Sequence, residues 1–538
     1  MSLPLLRDSI VFLIFGLLIL GGIVGLSTVI QSGIGASPDS VAYIGAAKNL
    51  LDGHGLSLPY GEPDNPAMTH HAPLYPLLLA LSGSGGWKIM DAAKWINIIL
   101  FIINIGIVFF ILRSISSNFW LPMAGCTLIL ASPTMIQIHA MAWTEPLFIS
   151  LSTLGLYVLS RYLENGRRMP LVMSGILLGL AFLTRYAGAV LIATGMVVII
   201  LLGRKSLRQK LLDVLVFGGF TSLPMILWMA RNKIVTNTAT NREFLFHPLG
   251  KAQLMEMLGT FSGWVLIPER IPALVRGILL IALSIAVIWI IYVNIWNALI
   301  NKKYKDLTNE LRSIPPIVNV FVIYIISYIG FLVFSVTFID ANTPFDERIL
   351  SPVYNAGVIL IVYTLDRLLK SPKTNQAIKI TLVALLSITV AIYIVNAAGF
   401  INTYQSSGLG FNSVYWREAE ILQATKNLPA DITIYTNVPE VVYLYTGRSA
   451  LRLPKPSFAL TKQVNPEYQA DLSLIRDRLQ SNTGVIVYFT QLAHSSQSEE
   501  SGLIDTLNLC LYESSDEGNL YLPEKSGLPC RLSQEGSS

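Results

Sequence analysis

Apolar runs of about twenty residues, almost free of charge, recur along the first 400 positions of this 538-residue chain. A run of that length crosses the hydrocarbon core of a bilayer as one helix, and a helix satisfies its own backbone polar groups there. Read with that ruler, the sequence predicts about eleven spans. They fall near 10–30, 93–112, 119–138, 144–160, 169–183, 186–202, 211–230, 274–297, 316–338, 349–369 and 378–399. The composition agrees, with 53% apolar and 13% charged residues against roughly 25% charged in a soluble domain. A single soluble globule is excluded. The expected fold class is a polytopic α-helical membrane protein carrying a C-terminal α/β domain.

Charge placement suggests the topology. Up to residue 400 there are 28 Lys and Arg against 18 Asp and Glu, and after it 10 against 15. The cationic excess thus belongs to the membrane region, where it orients a protein in the bilayer rather than binding nucleic acid. With Arg7 on the cytoplasmic side, alternate short connections carry Arg113, then Arg161, Arg167 and Arg168, then Arg204, Lys205, Arg208 and Lys210. Two more carry Lys302, Lys303, Lys305 and Arg312, then Arg367, Lys370, Lys373 and Lys379. All fall on one face, as the positive-inside rule requires. The first span is long for a removed signal peptide and lacks a well-placed small-residue cleavage site, so an anchor is expected. An odd number of spans then puts the tail outside the cytoplasm.

Two regions follow: a membrane domain over 1–400, with a first outer loop at 31–92, and a soluble outer domain over 401–538. In the tail, helix-like runs at 416–427 and 466–481 alternate with short apolar runs at 432–435 and 485–489, the pattern of a small α/β domain. Three cysteines are too few for a cysteine-rich scaffold or a cysteine-built zinc site. Cys510 and Cys530 lie in the tail, on the side where disulfides persist, and are expected to pair; mid-membrane Cys126 is expected to pack. No fixed-period repeat, P-loop or dinucleotide fingerprint is present.

The outer face holds the residues able to do chemistry. Asp39, in Ser-Pro-Asp-Ser just after the first span, is placed to accept a proton or hold a metal at the lip of the bilayer; the alternative is an N-cap for the run starting at Ser40. Glu145, in Trp-Thr-Glu-Pro at the start of the fourth span, is costly there unless partnered or watered, although helix starts favour acids. His70 and His71 could bind phosphate when charged or a metal when neutral. Arg185, Arg231 and Arg348 each end or begin a span on the outer side, where a guanidinium can grip an anionic headgroup with two hydrogen bonds or merely snorkel. Together they suggest a phosphate-binding cavity.

In order and sidedness, these segments resemble the GT-C glycosyltransferases. They are Pro38-Asp39, His71-Ala72-Pro73-Leu74-Tyr75-Pro76, Thr144-Glu145-Pro146-Leu147, Leu183-Thr184-Arg185, Arg231-Asn232 and Glu347-Arg348-Ile349-Leu350-Ser351-Pro352. The bacterial protein O-mannosyltransferase and lipid A aminoarabinose-transferase group is the most similar. Where lipid A-type relatives carry a lysine, this chain reads His70-His71-Ala72. The tail segments Asn437-Val438-Pro439-Glu440 and Tyr445-Thr446-Gly447-Arg448 also resemble the outer domains of that group.

The resemblance implies an inverting transferase of the cell envelope, seated in the inner membrane, that moves a sugar from a polyprenyl-phosphate donor to an extracytoplasmic lipid, glycan or protein. It implies Asp39 as general base or its close partner, Glu145 as second acidic residue, and Arg185, Arg231 and Arg348, with His70 and His71, around the donor phosphate. Membrane lipids are expected partners and nucleic acid is not; no cofactor is required, and a divalent metal is left open. The alternatives are an oligosaccharide transferase or ligase with a pyrophosphate-linked donor, and a lipid or solute transporter. A transporter would favour broken helices at mid-membrane, whereas here the charges crowd one face.

Overall fold

The structure, a computed structural model, describes residues 3–242, 244–300, 310, 313–457, 463–481, 483–490, 502–503, 506–507 and 509–523. Its helices begin with α1 (Leu3–Val29), α2 (Pro38–Leu51), α3 (Leu74–Ser84), α4 (Ile89–Ile115), α5 (Trp120–Leu130), α6 (Pro133–Ala140) and α7 (Glu145–Asn165). There follow α8 (Arg168–Thr184), α9 (Ala189–Leu202), α10 (Leu207–Thr236), α11 (Lys251–Trp264), α12 (Ala273–Ile300), α13 (Pro316–Phe338), α14 (Glu347–Lys370) and α15 (Gln376–Ser407). Two compact units emerge: one takes residues up to 31, 70–75 and 94–405, the other 32–69, 76–93 and everything from 406 on.

The first unit holds the membrane helices. Among the described residues eight helices are long and apolar enough to cross a membrane, namely α1, α4, α7, α10, α12, α13, α14 and α15. The pair α5–α6 makes a ninth span if its 55° bend is one crossing. That bend follows from Ser132-Pro133, where proline ends the hydrogen-bond ladder and the serine caps the new helix through the Met135 amide, 3.4 Å away. The remaining two expected spans coincide with α8 and with Tyr186–Leu202, which are apolar but shorter. At 17 residues, α8 falls short of the roughly 20 that the hydrocarbon core needs. The basic connection with Lys302, Lys303, Lys305 and Arg312 lies outside the described residues.

Burial sorts these helices. Within the apolar windows of α7 and α14, 72% and 78% of residues are buried, while α1, α12 and α15 bury only 11%, 6% and 6%. The latter three therefore present side chains suited to lipid, and α7 and α14 form the centre. Small residues allow the close contacts: a Cβ on Gly179 of α8 would lie 2.7 Å from the Phe220 carbonyl oxygen of α10, so only glycine fits.

The second unit joins the first outer loop to the tail. After α16 (Val414–Arg417) and α17 (Glu420–Lys426) come β1 (Thr433–Thr436), α18 (Pro439–Thr446), β2 (Ala450–Arg452), α19 (Tyr468–Gln480), β3 (Gly484–Phe489), β4 (Leu509–Ser514) and β5 (Gly518–Pro523). Among the described residues the strands form one sheet in the order β2-β1-β3-β5-β4, parallel at β2-β1-β3 and antiparallel beyond. Alternate residues of β3 face opposite cores. Ile486 and Tyr488 meet Leu472, Ile475 and Leu479 of α19, while Val485, Val487 and Phe489 share a core with Ile421 and Val441. A strand covered on both faces reads as a continuous apolar run, which explains the 485–489 signal.

The second of those cores also contains Ala36, Val41 and Tyr60 from the first loop. The main chain stitches loop to tail: the Phe411 amide donates to the Ala36 carbonyl at 2.7 Å, and Gly61 bridges β2 through the Ala450 carbonyl (2.8 Å) and the Arg452 amide (2.9 Å). The loop was expected to go with residues 1–400. It groups with the tail instead, because the apolar face of α2 finds its complement there.

Cys126 is a buried free thiol and Cys510 is disulfide-bonded. Its expected partner, Cys530, lies outside the described residues. Non-reducing peptide mapping is expected to recover the two tail cysteines as one linked pair; a closed loop of this size contributes about 3 kcal/mol in the chain-entropy account. Recovery of both as alkylatable thiols from fresh membranes would reject the pairing.

Candidate functional site

Glu145 opens α7, with Pro146 beside it at a helix start where proline's missing amide hydrogen costs nothing. Its side chain is 1% exposed, and a carboxylate so enclosed needs compensating charge. Two guanidinium groups supply it. The Arg348 Nε donates to Glu145 Oε1 at 2.5 Å, and Arg185 Nη1 forms a second ion pair with the same oxygen. Thr144 completes the cluster, its hydroxyl 3.4 Å from Arg185 Nη1. The Trp143 ring lies under the Arg348 guanidinium at 4.1 Å, a cation–π contact that fixes its plane.

Local structure explains why these side chains converge. Arg185 follows the last turn of α8, and the 3-10 turn Tyr186–Gly188 reverses the chain toward α9. A Cβ on Gly188 would come within 2.4 Å of the Phe182 Cα, so this reversal requires glycine. Arg348 sits in the first turn of α14, whose N-cap is Asp346, accepting from the Ile349 amide at 2.8 Å. Burial pushes the Asp346 carboxyl above the usual range, against the opposing pull of that amide and of Arg348. Expected as the neighbour of two acids in sequence, Arg348 instead reaches across to α7; Glu347 turns to the Thr134 hydroxyl. The two arginines keep 16% and 20% of their side-chain surface open, and Glu145 balances one of the two positive charges.

A second cationic group lies next along the chain. Arg242, which the sequence reading missed, stacks on the Tyr186 ring at 4.8 Å and donates to the His70 carbonyl at 3.3 Å. The Tyr186 hydroxyl accepts from the Trp228 indole at 3.1 Å, and Arg231 lies 4.9 Å from the Trp228 ring. His70 and His71 meet edge to face at 5.0 Å. The expected phosphate residues thus form two groups, Arg185 with Arg348 and Arg231 with the histidines, joined through the adjacent Arg185 and Tyr186. Trp143, Tyr186 and Trp228 were not singled out either; each serves as the aromatic bed of an arginine or its hydrogen-bond partner.

Asp39 belongs to the second unit, in the first turn of α2 and half-buried. It does not cap the helix. Ser37 is the N-cap, its hydroxyl accepting from the Ser40 amide, and α2 starts at Pro38. The capping alternative therefore falls to Ser37, while Asp39 sits in the first turn, where acids are favoured. Among the described residues no three His, Cys, Asp or Glu side chains come together to hold a metal ion.

Comparison with known proteins follows the same lines. Residues 70–228 match the family model described as dolichyl-phosphate-mannose-protein mannosyltransferase. No curated protein matches in sequence. Among solved structures, ArnT from Cupriavidus metallidurans in the apo state is 15% identical with a TM-score of 0.59, over 94% of this chain and 97% of that one. The same protein bound to undecaprenyl phosphate is 14% identical with a TM-score of 0.57, over 95% and 98%. The oligosaccharyltransferase AglB from Archaeoglobus fulgidus, in complex with an inhibitory peptide and a dolichol-phosphate, is 10% identical with a TM-score of 0.51, over 95% and 74%. The chain is a polytopic membrane protein with the fold of the GT-C glycosyltransferases.

Proposed function

We propose that this GT-C-type transferase takes a sugar from a polyprenyl-phosphate donor and gives it, with inversion, to a hydroxyl-bearing acceptor outside the cytoplasm. The observation that carries the reading is the buried Glu145 holding Arg185 and Arg348 together at the head of the two most enclosed helices. Two oriented guanidiniums around one carboxylate suit the charge that grows on a departing phosphate. ArnT and AglB were each solved with a lipid phosphate, which supports the same class of donor here.

In the proposed reaction the acceptor oxygen attacks the anomeric carbon as the bond from that carbon to the phosphate oxygen breaks. The bonding pair leaves on the phosphate, where the arginines meet it, and the acceptor proton passes to Asp39. Glu145, engaged by two cations, acts as the holder of the arginines rather than as a base. The positive-inside pattern of the sequence supports an outer-face location for these groups and the tail. The tail carries neither arginine of the cluster and is assigned to the acceptor side.

The test is a panel of labelled polyprenyl-phosphate sugars incubated with the purified protein, with consumption of at least one expected; consumption of none would end the reading. Arg348→Lys supplies a sharper prediction. Lysine keeps the charge and loses the planar two-point grip, so affinity for undecaprenyl phosphate should fall about tenfold, near 1.4 kcal/mol, with a smaller effect on melting. Unchanged affinity would remove Arg348 from the donor site. A large fall in melting temperature at unchanged affinity would make it a structural ion pair.

A further inference from the structure

The opening turns of α14, which carry Arg348, are interrupted by their own sequence. In an α-helix each carbonyl accepts from the amide four residues on. Four residues after Arg348 comes Pro352, inside the helix and without an amide hydrogen. The Arg348 carbonyl thus loses its helical donor, beside Leu350 and Ser351, which are both closed to solvent. Ser351 supplies a substitute, its hydroxyl donating to the Arg348 carbonyl at 2.6 Å. The next carbonyl, that of Ile349, accepts from the Tyr328 hydroxyl of α13 at 2.8 Å. Tyr328 is buried, and its ring meets that of Tyr324 edge to face at 5.7 Å. Two successive carbonyls are therefore held by hydroxyl groups, one from α14 itself and one from a neighbouring helix. These are the means by which a proline inside a membrane helix is tolerated.

We infer that Ser351 and Tyr328 are positioning residues for the donor phosphate, acting through Arg348. This rests on Arg348 meeting that phosphate, as proposed above. The far end of the Arg348 side chain is fixed by the Glu145 carboxylate and the Trp143 ring. Its near end is the backbone of α14, the stretch that Pro352 loosens. A carbonyl without a donor tilts outward to find one, and the helix bends with it. The Ser351 hydroxyl keeps the Arg348 carbonyl satisfied in place, so the arginine leaves the helix from a defined point. Tyr328 ties the same turn to α13, which packs against both α14 and α7, the helix of Glu145. Neither hydroxyl bonds to the guanidinium, so each acts through the backbone. A shift well below an ångström spoils a two-point grip while leaving its charge unchanged. A repaired kink with no bearing on the donor predicts instead a loss of stability alone.

The test uses the purified full chain in lipid nanodiscs, titrated with undecaprenyl phosphate below the melting temperature of each variant. Ser351→Ala is expected to weaken binding about tenfold, and Tyr328→Phe, which keeps the ring, to act in the same direction. The double variant Ser351→Ala/Pro352→Ala is expected to regain most of the loss, because alanine at 352 returns the amide hydrogen that the Arg348 carbonyl lacks. On an Arg348→Lys background Ser351→Ala should weaken binding little further. Wild-type affinity in both Ser351→Ala and Tyr328→Phe, whatever their melting temperatures, would overturn the inference. So would a loss that Pro352→Ala does not recover, or one that adds in full to that of Arg348→Lys. If Ser351→Ala yields no folded protein, Tyr328→Phe alone and combined with Arg348→Lys decides. Wild-type affinity in Arg348→Lys removes the donor-site reading and this inference together. Weak binding by Arg348→Lys beside normal binding by the two hydroxyl variants removes the inference alone.

Discussion

Asp39→Asn is expected to reduce sugar transfer by about 10² or more while expression, melting temperature and lipid-phosphate affinity stay at wild-type values. The separation of effects follows from the helix start. Ser37, not Asp39, accepts the orphan amide, so the substitution removes no cap, and an uncharged amide of the same shape keeps the first turn. Asparagine has nearly the same volume and tolerates a first turn. The measurement is single-turnover consumption of the donor by both forms at matched concentration, beside their melting curves. Normal turnover would strip Asp39 of any chemical part. A loss of turnover matched by a comparable loss of folded protein would assign it to structure.

Glu145→Gln is expected to have the second largest effect, on both rate and stability. The carboxylate is enclosed and holds two guanidiniums by one oxygen. Removing its charge leaves two cations facing each other across a neutral amide, and breaking a buried pair typically costs about 3–5 kcal/mol. Here both arginines retain some contact with solvent, which lowers the expected cost to about 1–3 kcal/mol. The fork that should meet the phosphate also loses its orientation, so transfer should fall by about 10². Simple charge counting gives the opposite sign for donor binding, since the variant carries one more net positive charge. Titration with undecaprenyl phosphate separates the two: weaker binding supports the holder role, and tighter binding with normal turnover would leave Glu145 as a mere counter-ion.

Much of the architecture was legible because a lipid environment permits few solutions. Each expected span overlaps an apolar helix or, at 119–138, a bent pair of them, although two of these helices are too short to cross, and the runs at 432–435, 466–481 and 485–489 appear as β1, α19 and β3. Short, half-exposed β2 and the hairpin β4–β5 gave no comparable signal, since three to six residues of mixed polarity carry little periodicity. At the site, the residue types were readable and the pairings were not. That Arg348 binds Glu145 rather than Asp346 or Glu347 depends on the packing of α7 against α14, some two hundred residues apart, and nothing local encodes it. Arg242 escaped notice because its value lies in stacking on Tyr186, a contact between two unremarkable loop positions. The partnership of the first loop with the tail escaped for the same reason: α2 displays an apolar face, but not what covers it.

That partnership carries a consequence for how the protein is made. The segment around Ala36, Val41 and Tyr60 leaves the ribosome near the beginning of synthesis, and the core that receives it is completed only by β5, near the end. At about 5–20 residues per second, the interval is some tens of seconds. During that time the helical bundle can assemble while the early segment waits with its apolar side chains uncovered, a state open to chaperones and proteases. Any chain released before the last strand would leave the side chains around Ala36, Val41 and Tyr60 without part of the core that covers them.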